Sequence, residues 1–261
     1  MQLYALDGSR KPILAEEAIR EKAYLCPECL RPVRVRGGPH RQIHFYHIKK
    51  QSLCREQGKS LEHLQLQLFL KKLFPAIVLE RPFPEIGRIA DAHLEEEQII
   101  FEIQCSAMSL EEARGRCNDY TRRGMTLVWI LHDKRFNQKN LSPSELFLRT
   151  QGACYFSNMN KKGEGLIYDQ YDKVRGLRRL VKGIPLAVSL HKKIPIKTAL
   201  PPALTSRKNW QIHFQGDLID RLQSASPNEM RGIELLEKPH ILKNKLSSWH
   251  SFLFNYLLEK A

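Results

Sequence analysis

The fold turns on one stretch: Arg88-Ile89-Ala90-Asp91-Ala92-His93-Leu94, then Glu95-Glu96-Glu97, then Gln98-Ile99-Ile100-Phe101-Glu102-Ile103-Gln104. Two strand-like runs, Arg88–Leu94 and Gln98–Ser106, flank an acidic triplet that reads as the turn between them. Strand side chains alternate between faces, so Glu102 and Gln104 share one face. If the runs form a hairpin, Asp91 comes beside Glu102. Ile99, Ile100, Phe101 and Ile103 are apolar on both faces of the second run, which marks a central strand whose polar residues need a reason. Two converging carboxylates repel unless something neutralises them. A divalent cation does so, and Mg²⁺ prefers carboxylate oxygens completed by water and phosphate. Such an ion polarises a phosphodiester and activates a water. The alternative is two strand residues on a solvated face.

Working outward, Ser60 caps a helix that runs to about Phe74 and stops before Pro75. A further strand-like run covers Ala76–Phe83. Ser109-Leu110-Glu111-Glu112 is a capping box opening a second helix that ends near Gly124. Thr126–Leu131 is a short run of buried-strand type. The order α-β-β-β-α-β predicts an α/β protein with a mixed sheet and helices packed on it. In the first helix, Glu62, Leu66, Phe69 and Leu73 form one stripe. Glu62 therefore either points inward to a partner or complements the helix dipole from the first turn. His63 lies off that stripe and reads as a surface or capping residue. On the second helix, Arg116 borders the stripe of Leu110, Ala113, Cys117 and Tyr120. It reaches either a phosphate, the carboxylates, or Glu112. Ala153–Phe156 and Gly165–Tyr168 read as short strands, Pro195 to Pro202 as a linker, and 215–261 as helical. Three segments follow: 1–59, 60–149 and a basic region, 150–261.

Residues 26–59 are rich in Cys, His, Gly and Arg and hold few aliphatic residues. Such a segment needs a staple in place of a core. Cys26-Pro27-Glu28-Cys29 is a CxxC knuckle, followed by His44-Phe45-Tyr46-His47 and then Cys54. Cys26, Cys29, His44 and His47 make one tetrahedral Zn²⁺ set, and Cys54 in place of one histidine makes another. His40 is a weaker substitute. The competing reading is a redox or incidental CxxC.

The chain of 261 residues holds 42 Lys and Arg against 28 Asp and Glu, a formal charge of +14. The excess points to a polyanion partner, above all nucleic acid. It is uneven: net +6 over 1–59, −1 over 60–149, +9 over 150–214 and zero beyond. The densest run, Lys173-Val174-Arg175-Gly176-Leu177-Arg178-Arg179-Leu180-Val181-Lys182, suits a surface that tracks a DNA backbone without reading bases. No apolar run reaches the roughly 18 residues of a membrane span. The N-terminus has no basic head and apolar stretch of a secretory signal. The six cysteines are not spaced as a disulfide scaffold. A reducing cytoplasm is the expected setting.

The hairpin with D-(ten residues)-E-x-Q between two helices resembles the PD-(D/E)xK nuclease superfamily, and Glu62 resembles its leading glutamate. More closely, the chain resembles the competence protein CoiA-like family. The matching motifs are Cys26-x-x-Cys29, His44-Phe45-Tyr46-His47, Ser60-Leu61-Glu62-His63, Arg88-Ile89-Ala90-Asp91, Glu102-Ile103-Gln104-Cys105-Ser106, Arg116-x-x-x-Tyr120 and Trp129-Ile130-Leu131. The resemblance implies a restriction-endonuclease-like core behind a zinc-finger-like module, and a role on DNA in natural transformation. It implies Mg²⁺ or Mn²⁺ on Asp91 and Glu102, helped by the Ile103 carbonyl. Gln104 would position water, and Glu62 would add a ligand. Gln104 stands where the superfamily has lysine, so it brings hydrogen bonds but no charge. Arg116, Lys173, Arg175, Arg178, Arg179 and Lys182 are the expected nucleic-acid contacts. Two functions follow: a metal-dependent DNA nuclease, or a catalytically silent scaffold that assists recombination proteins on single-stranded DNA. Backbone charge alone does not separate DNA from RNA.

Overall fold

The structure, a computed structural model, describes residues 1–39, 41–49, 54, 58–151, 153–170, 172–183, 185–188 and 190, with the strand backbone of 210–213. It divides into two compact units, 1–105 with 159–165, and 106–158 with 166–261. His40, the Pro195–Pro202 linker and the helical reading of 215–261 lie outside the described residues.

The first unit opens with a small antiparallel sheet of Tyr4–Leu6 (β1), Pro12–Leu14 (β2), Tyr24–Leu25 (β3), Pro32–Gly38 (β4) and Arg41–His47 (β5), in the order β2-β1-β3-β4-β5. The Asp7 carboxylate closes the β1–β2 turn by accepting from the Ser9 and Lys11 amides at 2.8 and 2.9 Å. Gly37, at φ 131°, kinks β4: a Cβ there would stand 2.5 Å from the Ile43 Cα. The core beneath this sheet is modest, centred on Tyr24, Val33, Val35 and Phe45.

The same unit continues with Leu61–Leu73 (α1), Val78–Phe83 (β6), Arg88–Leu94 (β7) and Ile99–Gln104 (β8). Ser60 caps α1, its hydroxyl accepting from the His63 amide at 3.3 Å. β6, β7 and β8 form an antiparallel meander, and α1 packs on it. The buried side of α1 differs from the expected stripe. Leu66 and Leu70 are fully buried, as are the polar His63 and Gln67, whereas Phe69 and Leu73 are only half-buried. Apolar spacing could not reveal this face, because three of its six buried residues, Glu62, His63 and Gln67, are polar.

The second unit holds Leu110–Thr121 (α2), Thr126–His132 (β9), Pro143–Thr150 (α3), Ala153–Ser157 (β10), Ile167–Asp169 (β11), Asp172–Arg175 (β12), Arg178–Lys182 (β13), Leu186–Ala187 (β14) and Trp210–His213 (β15). β9 and β10 run parallel, joined through α3, and β11 and β14 extend them antiparallel. The basic stretch is a hairpin, β12–β13, which turns at Gly176 (φ 58°) and pairs on its other side with β15. The order α-β-β-β-α-β and the mixed α/β class hold. No helix among the described residues is long and apolar enough to cross a membrane.

α3 carries a buried ionic network. The Asp172 carboxylate meets Arg179 at 2.9 Å and Arg149 at 3.5 Å, and Arg179 also meets Glu145 at 2.8 Å. Asp172→Ala leaves two buried guanidinium groups short of an anion and is expected to cost about 3–5 kcal/mol in denaturant unfolding. Glu112→Ala, which breaks an i,i+4 pair with Arg116 at the surface, should cost only about 0.3–0.5 kcal/mol. His93 on β7 is buried, and neither ring nitrogen has a hydrogen-bond partner. Burial pushes its pKa down; Arg81 adds to this and Glu95 opposes it. The neutral ring is thus the folded form, and its contribution is whole above the unfolded value of about 6.5 and shrinks as pH falls. His93→Phe should flatten the loss of stability measured as pH falls below about 6.5.

Candidate functional site

Two constellations stand out in the first unit. In the first, the ligand atoms of Cys26, Cys29, His47 and Cys54 all lie within 4.8 Å of one another. The Cys26 and Cys54 sulfurs are 3.7 Å apart, and Cys29 Sγ is 3.3 Å from His47 Nε2. A tetrahedron with Zn–S bonds of about 2.3 Å sets its sulfurs about 3.8 Å apart, so this Cys₃His set fits zinc. His44 is not in it. It lies three residues from His47 on β5, and odd spacing on a strand turns the two rings to opposite faces. His44 is instead bonded to the Gln42 carbonyl at 2.8 Å and to Arg36 Nε at 3.1 Å. Cys54 takes its place, the second of the two sets the spacing allowed. The thiols sit under the small sheet, where burial pushes Cys26 up to about 11 and raises Cys54 as well.

The second constellation surrounds Asp91. β7 and β8 pair through Leu94↔Ile99, His93↔Ile100 and Ala92↔Phe101, and one further step sets Asp91 across from Glu102. Both carboxylates are buried, 5% and 0% exposed. At this point the Ile103 amide donates to the Asp91 side chain, to Oδ2 at 2.8 Å. The other oxygen, Oδ1, lies 3.0 Å from His63 Nε2 and 3.3 Å from the Lys59 ammonium. Gln67 of α1 holds the Asp91 backbone carbonyl at 3.0 Å. Burial alone would raise the Asp91 carboxyl, but the charges of His63 and Lys59 and the Ile103 amide hold it well below the usual carboxylate range.

Glu62 is also buried, at the first turn of α1. Burial pushes the Cys105 thiol up to about 12, and the charges of both Asp91 and Glu62 add to that rise against a Ser60 hydrogen bond. Both carboxylates therefore bear on one thiol. They are not drawn as tightly as the zinc set: among the described residues, only the Cys₃His group brings three or more such ligand atoms within 4.8 Å. Gln104 is half-buried at the end of β8, on the Glu102 face. The donors are hard oxygens, and the Asp91 oxygen already holds a cation in the Lys59 ammonium. That chemistry fits Mg²⁺ or Mn²⁺, which bind through one or two carboxylates and keep several waters.

Three residues here escaped sequence reasoning. His63 faces Asp91 although apolar spacing set it outside the buried stripe. Lys59 precedes the helix cap and carried no motif. Glu80 lies inside β6 at φ 52°, a left-handed conformation that costs a non-glycine residue about 1–2 kcal/mol. Its carboxylate accepts from the Leu3 and Tyr4 amides at 3.2 and 3.3 Å and pairs with Lys59 at 3.2 Å.

In the second unit, Arg175, Arg178 and Lys182 are exposed on the β12–β13 hairpin. Arg179, expected beside them, is turned inward and committed to Glu145 and Asp172. Strand alternation with a core-facing neighbour explains the difference, since Arg178 and Leu180 point out and Arg179 points in. Arg116 pairs with Glu112 at 2.8 Å. The side chain of Lys173 lies outside the described residues.

Zinc ligation requires thiolates, so buried thiols of raised pKa bind it with proton release and lose it as pH falls. Purified protein is expected to carry stoichiometric zinc by metal analysis. Cys54→Ser and His47→Ala should lose it, and His44→Ala should keep it. The reverse result for His44 and Cys54 would restore the other ligand set.

A family model for the competence protein CoiA N-terminal domain matches residues 9–56, and one for the competence protein CoiA nuclease-like domain matches residues 56–180. No curated protein and no solved structure matches the chain. The two family matches meet at residue 56, contain both constellations in the expected order, and together span well over half of the chain. The chain belongs to the competence protein CoiA family.

Proposed function

We propose that the protein is a divalent-metal-dependent nuclease that cuts DNA phosphodiester bonds during natural transformation. The observation that carries this reading is the buried, ionised Asp91, set across β7 and β8 from the buried Glu102. Burying a carboxylate is costly and demands donors and cations around it, and buried sites that keep such groups are candidates for chemistry. When bound, Mg²⁺ or Mn²⁺ supplies Lewis acidity toward the phosphate and an acidified water. The protein's own share is positional. Asp91 and Glu102, with the Ile103 carbonyl, would hold the ion, and Glu62, buried at the first turn of α1, would add a ligand or bind a metal-held water. Gln104 orients water through its amide without adding charge. Arg175 and Arg178 on the hairpin grip phosphates without reading bases. The zinc set acts as a structural staple, since four protein ligands leave no open position. All six cysteines are free, which suits a reducing cytoplasm.

A second reading has its own observation. Asp91 already has cationic side chains on it, as a silent site would. In that case the protein is a DNA-binding scaffold that helps recombination proteins on single strands.

Labelled single- and double-stranded DNA, with RNA as a control, should be cut by the wild type only with Mg²⁺ or Mn²⁺. Asp91→Ala and Glu102→Ala should each lower cutting by about a hundredfold or more, as loss of several kcal/mol of transition-state stabilisation requires. Wild type that binds DNA but never cuts, with both variants binding equally, would select the scaffold. Arg175→Ala and Arg178→Ala should each weaken binding across sequences and reduce the salt slope by about 1.

A further inference from the structure

We infer that Lys59 is a built-in counter-cation that occupies Asp91 in the metal-free protein and must be displaced onto Glu80 before a divalent ion can load. The inference rests on the nuclease-type metal site proposed above and deepens it: Lys59 sets the metal concentration at which that site fills.

The geometry is specific. The Lys59 ammonium sits between two carboxylates, 3.2 Å from Glu80 Oε1 and 3.3 Å from Asp91 Oδ1, and its side chain is 8% exposed. Its place in the chain does not otherwise suit a cation. It immediately precedes the cap of α1, at the helix end whose dipole disfavours positive charge. The two carboxylates are what hold it there.

The two anchors differ in what can compete for them. Glu80 is bound by two backbone amides of β1 and locked in a left-handed position of β6. Asp91 lies in the carboxylate site. Its Oδ2 is taken by the Ile103 amide, a backbone group fixed within β8. An incoming ion therefore has Oδ1 as its point of entry, the oxygen that Lys59 and His63 share. An ion about 2.1 Å from that oxygen would meet the Lys59 charge almost at contact. Lysine has the longest flexible stem of the groups involved and a second carboxylate already in reach. It is the group that moves. Metal and ammonium are thus negatively coupled through one oxygen, and the coupling is a free-energy difference that a titration can read.

The test is Mn²⁺ binding to zinc-loaded, full-length protein, followed by the electron paramagnetic resonance of free Mn²⁺. Lys59→Met should bind Mn²⁺ at least threefold more tightly than wild type, and Lys59→Arg should return affinity toward wild type. A purely structural lysine predicts the opposite sign, because its loss would loosen the site. Equal or weaker binding by Lys59→Met, where Asp91→Ala abolishes binding, overturns the inference and leaves the metal site standing. Wild type whose Mn²⁺ binding is unaffected by Asp91→Ala overturns the metal site and the inference together. Should Lys59→Met fail to fold, Lys59→Met with Glu80→Gln removes the ammonium and its anchor charge together, and the same gain in affinity is expected.

Discussion

A carboxylate buried on a central strand is the constraint around which the first unit is arranged. Asp91 cannot stay ionised out of water without donors, and it collects them from three directions. Ile103 contributes its amide from the neighbouring strand, His63 a ring from the helix, and Lys59 an ammonium from the chain ahead of the helix. These demands fix the rotation of α1 on the meander. His63 and Gln67 must face inward to reach the side chain and the carbonyl of one residue. Leu66 and Leu70 follow on the same face and supply the packing. The helix is oriented by polar contacts and stabilised by apolar ones.

The five-stranded sheet obeys a different economy. Three of its five strands are short, two of three residues and one of two, and its core is small. Half of the candidate metal set, Cys26 and Cys54, belongs to that core. A metal bound there would fasten Cys54 to the knuckle at Cys26 and Cys29, supplementing the small apolar core.

Much of this was legible in the sequence. β7 runs over the same residues as its apolar pattern, and the caps at Ser60 and Ser109 mark the true helix starts. The order of motifs was enough to suggest the family. What stayed hidden has physical causes. Helix-stripe reasoning counts apolar residues, so on a half-polar face it finds Glu62 and Leu66 but leaves out His63 and Gln67. Strand spacing alone separates the two open ligand sets, because His44 and His47 are an odd number apart on β5 and face opposite ways. α3 was also readable: Ser142-Pro143-Ser144-Glu145 is a capping box with proline at the first helical position. Arg179 and Arg178 are indistinguishable by composition, and only the pairing of β12 with β13 tells which one turns in. Nothing in the one-dimensional pattern announces Lys59 or the left-handed Glu80, since both acquire meaning only when β1 and β7 arrive beside them.

Glu80 has a consequence for how such a chain evolves. The amides of Leu3 and Tyr4 hold it from one side, and it reaches Asp91 through Lys59 on the other. The two family matches meet at residue 56, between those partners. Leu3 and Tyr4 precede the first match, which begins at residue 9, so the nuclease-like domain is tied to a strand ahead of both matches. A recombinant that joined this nuclease-like domain to a foreign first strand whose amides did not reach Glu80 would strip two backbone donors from a buried anion in a left-handed backbone position. Selection would act on the pair as one inherited unit, with substitutions in the opening strand answerable to a carboxylate some eighty residues away.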